Sequence, residues 1–262
     1  MGYGLLAGKR GVVMGVANER SIAWGCAKAC ADEGAELVFN YLGDAQEKRV
    51  RGLIAEIPGA TCRPCDVTKD EDIASFFGAI SEQWGSLDFL VHSLAYADKA
   101  DLAGRFLDTP RANFSMALDI SAYSLVALAR AAEPLFTPAA SIVAMTYYGA
   151  EKVVPKYNVM GVAKAALEAS ARYLAADLGP KGVRVNCISA GPVRTLSSAA
   201  FPGFRHMLGV TEQVAPLRRN ITTDDVARTA VYLLSDFASG VTGEVLHVDA
   251  GYHVLGMFAP PE

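Results

Sequence analysis

The sequence predicts a doubly wound α/β fold: a parallel sheet of about seven strands with helices on both faces, built as a single domain over residues 1–262. Three observations predict it. Short runs rich in β-formers alternate with longer stretches of helical period, the order that builds βαβ units and parallel sheets. Most of those runs are continuously apolar rather than alternating, as strands covered on both faces require. No linker, repeat or low-complexity tract divides the 262 residues, which suffice for one large core.

The strand candidates, in order, are RGVVM (10–14), ELVFNY (36–41), TCRPCD (61–66), DFLVH (88–92), SIVAM (141–145), VRVNCI (183–188) and EVLHVD (244–249). A helix is expected over 21–33, with Ile22, Cys26, Ala29 and Cys30 on one face and a stop at Gly34. The next clear helix, TKDEDIASFFGAISEQW, opens with Thr68 and Glu71 in capping-box register. TTDDVARTAVYLLSD opens in the same way, with Thr222 and Asp225. Residues 259–262, APPE, read as a frayed tail.

Composition removes several function classes. Hydrophobic residues make up 52% and charged residues 20%, and the net charge of −4 argues against a general nucleic-acid binder. No run approaches eighteen uninterrupted apolar residues, so no membrane span is expected. The first residues lack a small-residue cleavage site and do not read as a signal peptide. Five cysteines without a framework pattern suit a reduced, cytoplasmic protein. Cys62 and Cys65 form a lone CxxC inside a strand, and His92, His206, His247 and His253 lack ligand spacing, so no metal is expected.

The first strand runs into GVANERSIAWG, where Gly15 frees the turn and Ser21-Ile22 open a helix. Such a helix start can receive a pyrophosphate. The spacing is Gly15-x5-Ser21 rather than G-x-G-x-x-G, and taken alone it fits any α/β protein. Asp66-Val67 ends the third strand, where a carboxylate can accept from an adenine amino group or simply start the helix beside Thr68. Ser93-Leu94-Ala95 ends the fourth, near the crevice where α/β sheets bind ligands. At the tip of the second strand Leu42 supplies neither the acid that favours NAD nor the arginine that favours a 2′-phosphate; Lys48 and Arg49 are one helical turn away.

The stretch YYGAEKVVPKYNVMGVAK (147–164) holds the chemistry. Tyr157 and Lys164 are seven apart, two turns of an α-helix, so both side chains are expected on one face. An ammonium near a phenol lowers the phenol's pKa toward working pH, and the same lysine can bond a ribose. Tyr147 follows the fifth strand and can face the crevice from a loop. The bare Tyr-x6-Lys spacing also arises by chance. Beyond the sixth strand, TLSSAAFPGFRHMLGV (195–210) carries Leu196, Phe201, Phe204, Met207 and Leu208, an apolar set suited either to a lid over an acyl chain or to a core helix. Arg194, Arg205, Arg218 and Arg219 lie near it as a candidate landing site for an acidic protein.

Placed in order, the glycine turn, Asp66-Val67, HSLA, Tyr-x6-Lys and ISAGPVRT all fall at strand ends. This arrangement resembles the short-chain dehydrogenase/reductase superfamily over essentially the whole chain. More narrowly it resembles the NADH-dependent enoyl-acyl-carrier-protein reductases of bacterial fatty-acid synthesis. GVANERSIA, YYGAEKVVPKYNVMGVAKAALEASARYLA, GPKGVRVNCISAGPVRTL and GEVLHVDAG carry the match. Ketoreductases of the superfamily usually have a serine where this chain has Ala144, and an asparagine that is missing from ALDISAYS. Two tyrosines ten apart, Tyr147 and Tyr157, stand instead, as in the enoyl reductases.

The resemblance implies a Rossmann-type fold and hydride transfer from NADH, with NADPH also allowed, to the trans-2 double bond of an enoyl thioester of acyl carrier protein. It implies that Tyr157 donates to the thioester oxygen, that Lys164 holds the nicotinamide ribose and that Tyr147 lines the substrate side; Tyr148 is left to packing. Cofactor contacts carried over are Gly15, Ser21, Ile22, Leu42, Asp66, Val67, Leu94 and Lys164, with Val193, Arg194, Thr195, Leu196 and Ser197 around the pyrophosphate and nicotinamide. Ala97, Met160 and Phe204 join the two tyrosines on the substrate side. A homotetramer is implied, with VAKAALEASARYLAADL helping to form its interface. Ala95 stands where relatives commonly have glycine, and its methyl is expected to weaken flat inhibitors that stack on the oxidised ring. The rival readings are a ketone or alcohol reductase, opposed by Ala144, and a non-catalytic nucleotide-binding regulator, opposed by the Tyr157/Lys164 pair.

Overall fold

Seven strands form one parallel sheet: β1 (Arg10–Met14), β2 (Glu36–Tyr41), β3 (Thr61–Pro64), β4 (Leu87–His92), β5 (Phe136–Thr146), β6 (Arg184–Ala190) and β7 (Val245–Val248). They come from a computed structural model that describes residues 2–195, 198 and 203–257. The strand order is β3-β2-β1-β4-β5-β6-β7. Chain direction across the sheet therefore reverses between β1 and β4, where Met14 pairs with His92. An open α/β sheet binds ligands at the carboxyl ends of such a switch point.

The apolar runs make these strands because both faces are covered. Val12 and Val13 are neighbours in β1 and point to opposite faces, yet each is fully buried. On one face Val13, Phe39, Val91 and Val143 pack with α1 (Ile22–Asp32) and with a late helix, Thr223–Leu234. On the other, Val12, Val38, Leu90 and Ile142 pack with α3 (Asp70–Trp84), α6 (Ser124–Ala132) and α7 (Val159–Leu178). Fully burying each such side chain contributes about 1.5–3 kcal/mol. Among the described residues the remaining α-helices are α2 (Gly43–Ile54), α4 (Lys99–Ala103), α5 (Arg111–Leu118) and α8 (Phe204–Val214), so the late helix Thr223–Leu234 is α9.

Three local expectations meet different outcomes. At α9 the capping box forms: the Thr222 hydroxyl accepts from the Asp225 N–H, and the Asp225 carboxylate accepts from the Thr222 N–H. The box expected at Thr68 and Glu71 does not form. The Thr68 hydroxyl donates to Asp66 at 2.7 Å, and α3 starts later, after Lys69. Asp66, two residues away, wins the hydroxyl. From Arg111 to Leu135 a continuous helical run, joined through a π turn at Asp119–Tyr123, is long and apolar enough to cross a membrane by length and composition. Its second half, however, buries Leu125, Ala127, Leu128, Ala129 and Ala132 within the second core layer.

Candidate active site

At the nucleotide end, main-chain geometry dominates. Gly15 has φ +96°, and a Cβ there would lie 2.2 Å from the Ser93 carbonyl oxygen. Only glycine lets the turn after β1 approach the chain leaving β4 so closely. The Gly15 N–H donates to Asn40 Oδ1 at 2.9 Å, and buried Asn40 donates to the Cys65 carbonyl at 3.4 Å. One asparagine thus ties together the ends of three strands, a role that sequence reading missed. Leu94 lies beside Gly15, 3.3 Å from that Cβ position.

Ser21 is the N-cap of α1, but its hydroxyl donates back to the Asn18 carbonyl at 2.6 Å and makes no side-chain cap bond. Ile22 is the first residue of that helix and is half-buried. Leu42 is exposed, and its N–H donates to Gln46 Oε1 at 2.7 Å. Gln46 also donates to the Val16 carbonyl at 3.0 Å, joining the first two loops; it too was missed. Asp66 accepts from the Thr68 N–H and hydroxyl and lies 3.6 Å from Lys69. Burial raises its pKa, but these bonds outweigh it and the net shift is downward. The carboxylate therefore has the helix-start geometry. Val67 packs against the second core layer.

The segment expected beside the pyrophosphate closes on itself. Thr195 N–H donates to Ser198 Oγ at 2.7 Å, Ser198 N–H donates to Thr195 Oγ1 at 3.0 Å, and Ser198 Oγ donates to the Val193 carbonyl at 2.8 Å. Val193 is buried and Arg194 exposed. Leu196, Ser197 and Phe201 lie outside the described residues.

The chemical end is built differently from its expected form. Tyr157 is not on the helix that carries Lys164: α7 begins at Val159, after Asn158 at φ 41°. The two side chains therefore belong to separate elements rather than to one helical face. Tyr147 follows β5, and its ring meets that of Tyr157 edge-on, centroids 4.9 Å apart at 74°. Gly149 makes the room, since a Cβ there would fall 2.4 Å from the Tyr157 ring. Lys164 is buried, and its Nζ donates to the Met145 carbonyl at 2.8 Å and lies 3.5 Å from the Leu94 carbonyl.

This geometry overturns the expectation of an acidified phenol. Burial first, then the neighbouring Tyr147 and Glu168, push the Tyr157 phenol up. Burial, Tyr252 and Asp249 push Tyr147 up as well. Burial also pulls Lys164 down to about 8, against Cys187 and Glu168, which raise it. Desolvation is the largest cause in both groups and opposes charge on each. Tyr157 is consequently a neutral hydroxyl donor at neutral pH. Behind Lys164, buried Glu168 accepts from Thr146 Oγ1 at 2.6 Å, and burial raises its pKa.

On the acyl side, the Tyr147 hydroxyl donates to Met207 Sδ at 3.1 Å, which joins α8 to the tyrosine pair. Phe204 and Leu208 of α8 are buried. Met160 Sδ accepts from Ser121 Oγ at 3.8 Å, and Ser121 Oγ accepts from the Tyr96 N–H at 2.9 Å. Ala97 is half-buried on the segment that follows Tyr96, and Ala95 is exposed. Ala144 is fully buried in β5. Tyr148 donates to the His253 carbonyl at 3.4 Å and meets His247 and Tyr252 edge-on, a packing role. Arg219 is committed to Asp225 at 2.7 and 3.0 Å, and Arg218 donates to the Gln213 carbonyl, while Arg205 is exposed. Cys62 and Cys65 are buried, and burial pushes the Cys65 thiol up to about 12. Among the described residues no group of three His, Cys, Asp or Glu side chains is placed to hold a metal ion.

Comparison with known proteins agrees with this architecture. Residues 15–253 match a family model described as enoyl-(acyl carrier protein) reductase. The enoyl-[acyl-carrier-protein] reductase [NADH] 1 of Rhizobium meliloti is 55% identical over 256 residues, 98% of this chain and 94% of its own. The crystal structure of the Anaplasma phagocytophilum reductase in complex with NAD superimposes with a TM-score of 0.94 at 50% identity, covering 99% of this chain and 96% of that one. The Bacillus cereus reductase, crystallised with NADP+ and an indole naphthyridinone, gives 0.95 at 50% identity, covering 98% of this chain and 100% of its own. With the family model and these full-length matches in agreement, the chain belongs to the enoyl-(acyl carrier protein) reductase family.

Proposed function

We propose that this chain reduces the trans-2 double bond of enoyl-acyl-carrier-protein thioesters with NADH, in fatty-acid elongation. It works in the cytoplasm, as a homotetramer of single-domain subunits with a substrate lid near 195–210. The Rhizobium relative, named for NADH, and the Anaplasma structure with NAD favour that cofactor. The Bacillus structure holds NADP+, and Leu42 supplies no charge that selects between the two. The observation that carries the reaction is the edge-on Tyr147–Tyr157 pair together with a buried Ala144 in β5: two phenols, and no hydroxyl in the ketoreductase serine position.

The chain's residues fit a dinucleotide. Gly15 leaves open the space that a Cβ would fill, and α1 starts without a side-chain cap. Gly15 would then leave room for the pyrophosphate, and Ser21 and Ile22 would bring the N-terminus of α1 to it. Leu94, Val193 and Thr195 would flank the nicotinamide side, and Lys164 would bond the ribose. When bound, the cofactor supplies a hydride to the substrate β-carbon. Negative charge then grows on the thioester oxygen, where Tyr157 donates a hydrogen bond. A neutral, half-buried phenol suits that task, because a donor shielded from water stabilises developing charge more than one in water does. Tyr147 backs Tyr157 edge-on and, with Ala97, Met160, Phe204 and Met207, excludes water from the acyl side.

The test is loss of reduced-nicotinamide absorbance with a trans-2-enoyl thioester, run beside a 3-ketoacyl thioester and with NADH beside NADPH. Turnover of the enoyl substrate alone is expected. Turnover of the keto substrate alone would overturn the double-bond assignment.

A further inference from the structure

Tyr157 sits between two residues whose backbone disfavours an L side chain. Lys156 has φ 68°, and Asn158 has φ 41° with ψ −122°. Conformations of this kind persist only where their surroundings impose them, and they cluster at functional sites. Glycine would adopt either at no steric cost. The presence of two long side chains therefore asks what those side chains do.

Both reach the same place. Asn158 Nδ2 donates to the Asp101 carbonyl at 2.7 Å and to the Gly104 carbonyl at 3.1 Å. Lys156 Nζ donates to the Ala103 carbonyl at 2.8 Å. These three oxygens end α4, where helix carbonyls lack intrahelical partners. The segment that carries α4 leaves β4 at Leu94, whose carbonyl lies 3.5 Å from Lys164 Nζ. Tyr157 and Lys164, though on separate elements, are thus both referred to the chain leaving β4: Lys164 near its start, Tyr157 through its two neighbours near its end.

We infer that Asn158, supported by Lys156, is a positioning residue that clamps the strained turn onto the end of α4 and so fixes the Tyr157 hydroxyl. The inference rests on the proposed role of Tyr157 as donor to the thioester oxygen. Two carbonyl oxygens face Asn158, so the amide must present its donor end. Aspartate, of the same shape, would present acceptors to acceptors.

The test places 3-fluorotyrosine at position 157 in the full chain and compares wild type, Asn158→Gly and Asn158→Asp. Asn158→Gly removes the strain together with the clamp, so it folds even where Asn158→Ala does not. Wild type is expected to give one narrow fluorine resonance. Both variants are expected to give a broadened or shifted one, with kcat lowered about tenfold or more and the dissociation constant for reduced cofactor unchanged, since a small misplacement of a catalytic group is costly. Lys156→Met is expected to move both readouts the same way, but less. A wild-type resonance in Asn158→Gly, or wild-type kcat in that variant, overturns the clamp. Should wild type fail to turn over the enoyl thioester, the proposed reaction fails instead, and the resonance alone then decides the clamp.

Discussion

The two ends of the crevice are built by different means. At the nucleotide end, Gly15, Asn40 and Gln46 join loops through main-chain approach and ordinary hydrogen bonds. At the chemical end, half-buried Tyr147 and Tyr157 and buried Lys164 and Glu168 are titratable groups, each displaced from its ordinary pKa by desolvation first. A binding cradle needs shape, which backbone supplies; a reacting centre needs groups whose charge is costly, which only burial supplies. Variants at one end should therefore leave the other end's measurement untouched, except those that act through Lys164, which would also hold the ribose.

Tyr157→Phe is the strongest test of that separation. It removes one hydroxyl from a packed, edge-on ring pair and keeps the ring. Turnover of the enoyl thioester is expected to fall by about 10²–10³, the usual cost of one donor to a developing oxyanion. The dissociation constant for reduced cofactor, measured by fluorescence quenching, should not change. A weakened cofactor with intact turnover would break the comparison.

Gly15→Ala runs the other way. The added methyl meets the Ser93 carbonyl 2.2 Å away in a backbone with φ +96°, and neither atom can give without moving a strand end. Cofactor affinity and melting temperature are both expected to drop, with a stability loss of about 1–3 kcal/mol. Turnover at saturating cofactor should fall far less than in Tyr157→Phe. Crystals of the variant would sharpen the comparison by showing which of the two loops yields.

How much of this was legible in the sequence follows the same division. The strands read directly, because continuous burial on both faces leaves continuous apolar runs such as Val12 and Val13. The capping box at Thr222 was legible and the one at Thr68 was not, although the letters are alike. Asp66 stands two residues before Thr68 and takes its hydroxyl, whereas Asn220, two residues before Thr222, donates to the Leu208 carbonyl and the Thr222 hydroxyl goes to Asp225. The expectation that Tyr157 and Lys164 share one helical face was wrong, because α7 begins only at Val159. Seven residues suggest two helical turns, but the turn at Asn158 is held by carbonyls more than fifty residues away. Long-range contacts of that kind leave no local periodicity. Gly149 carries a weak signal, a glycine two residues after Tyr147, but the Tyr157 ring that needs it comes from a different segment.

Glu168→Gln probes the electrostatics of the chemical end. Glu168 raises the pKa of Lys164 while burial lowers it to about 8, so removing the carboxylate must lower it further. The ammonium is then lost at lower pH, and the basic limb of the KM profile for reduced cofactor should move toward acid. Thr146 keeps its partner in the glutamine variant, so a purely structural role would leave that limb in place. The linkage sign is separate. A lysine whose folded pKa lies below its unfolded 10.5 binds fewer protons when folded, so its contribution to stability rises as pH climbs from about 8 toward 10.5. Unfolding measured across that window should show this slope, and Lys164→Met should abolish it.

The smallest expected effect is at α9, which supports the nucleotide end from behind: a Cβ on Gly25 of α1 would lie 3.1 Å from Thr223. Thr222→Ala removes one half of the capping box and should cost about 1 kcal/mol of stability, with cofactor affinity and turnover nearly unchanged. Asp225, which completes the box, is held down to about 2, chiefly by the Arg219 guanidinium. Its folded pKa is below the ordinary 3.8, so the stability it contributes is present above that value and is lost as pH falls through about 2. Arg219 is half-exposed, so solvent screens the pair and the cap should outweigh the ion pair. Acid unfolding of Thr222→Ala and Arg219→Met decides between them: the larger loss at neutral pH should belong to the threonine. A larger loss from the arginine would mean that α9 is anchored by charge, and that the quiet end of the molecule is less purely a matter of backbone than its geometry suggests.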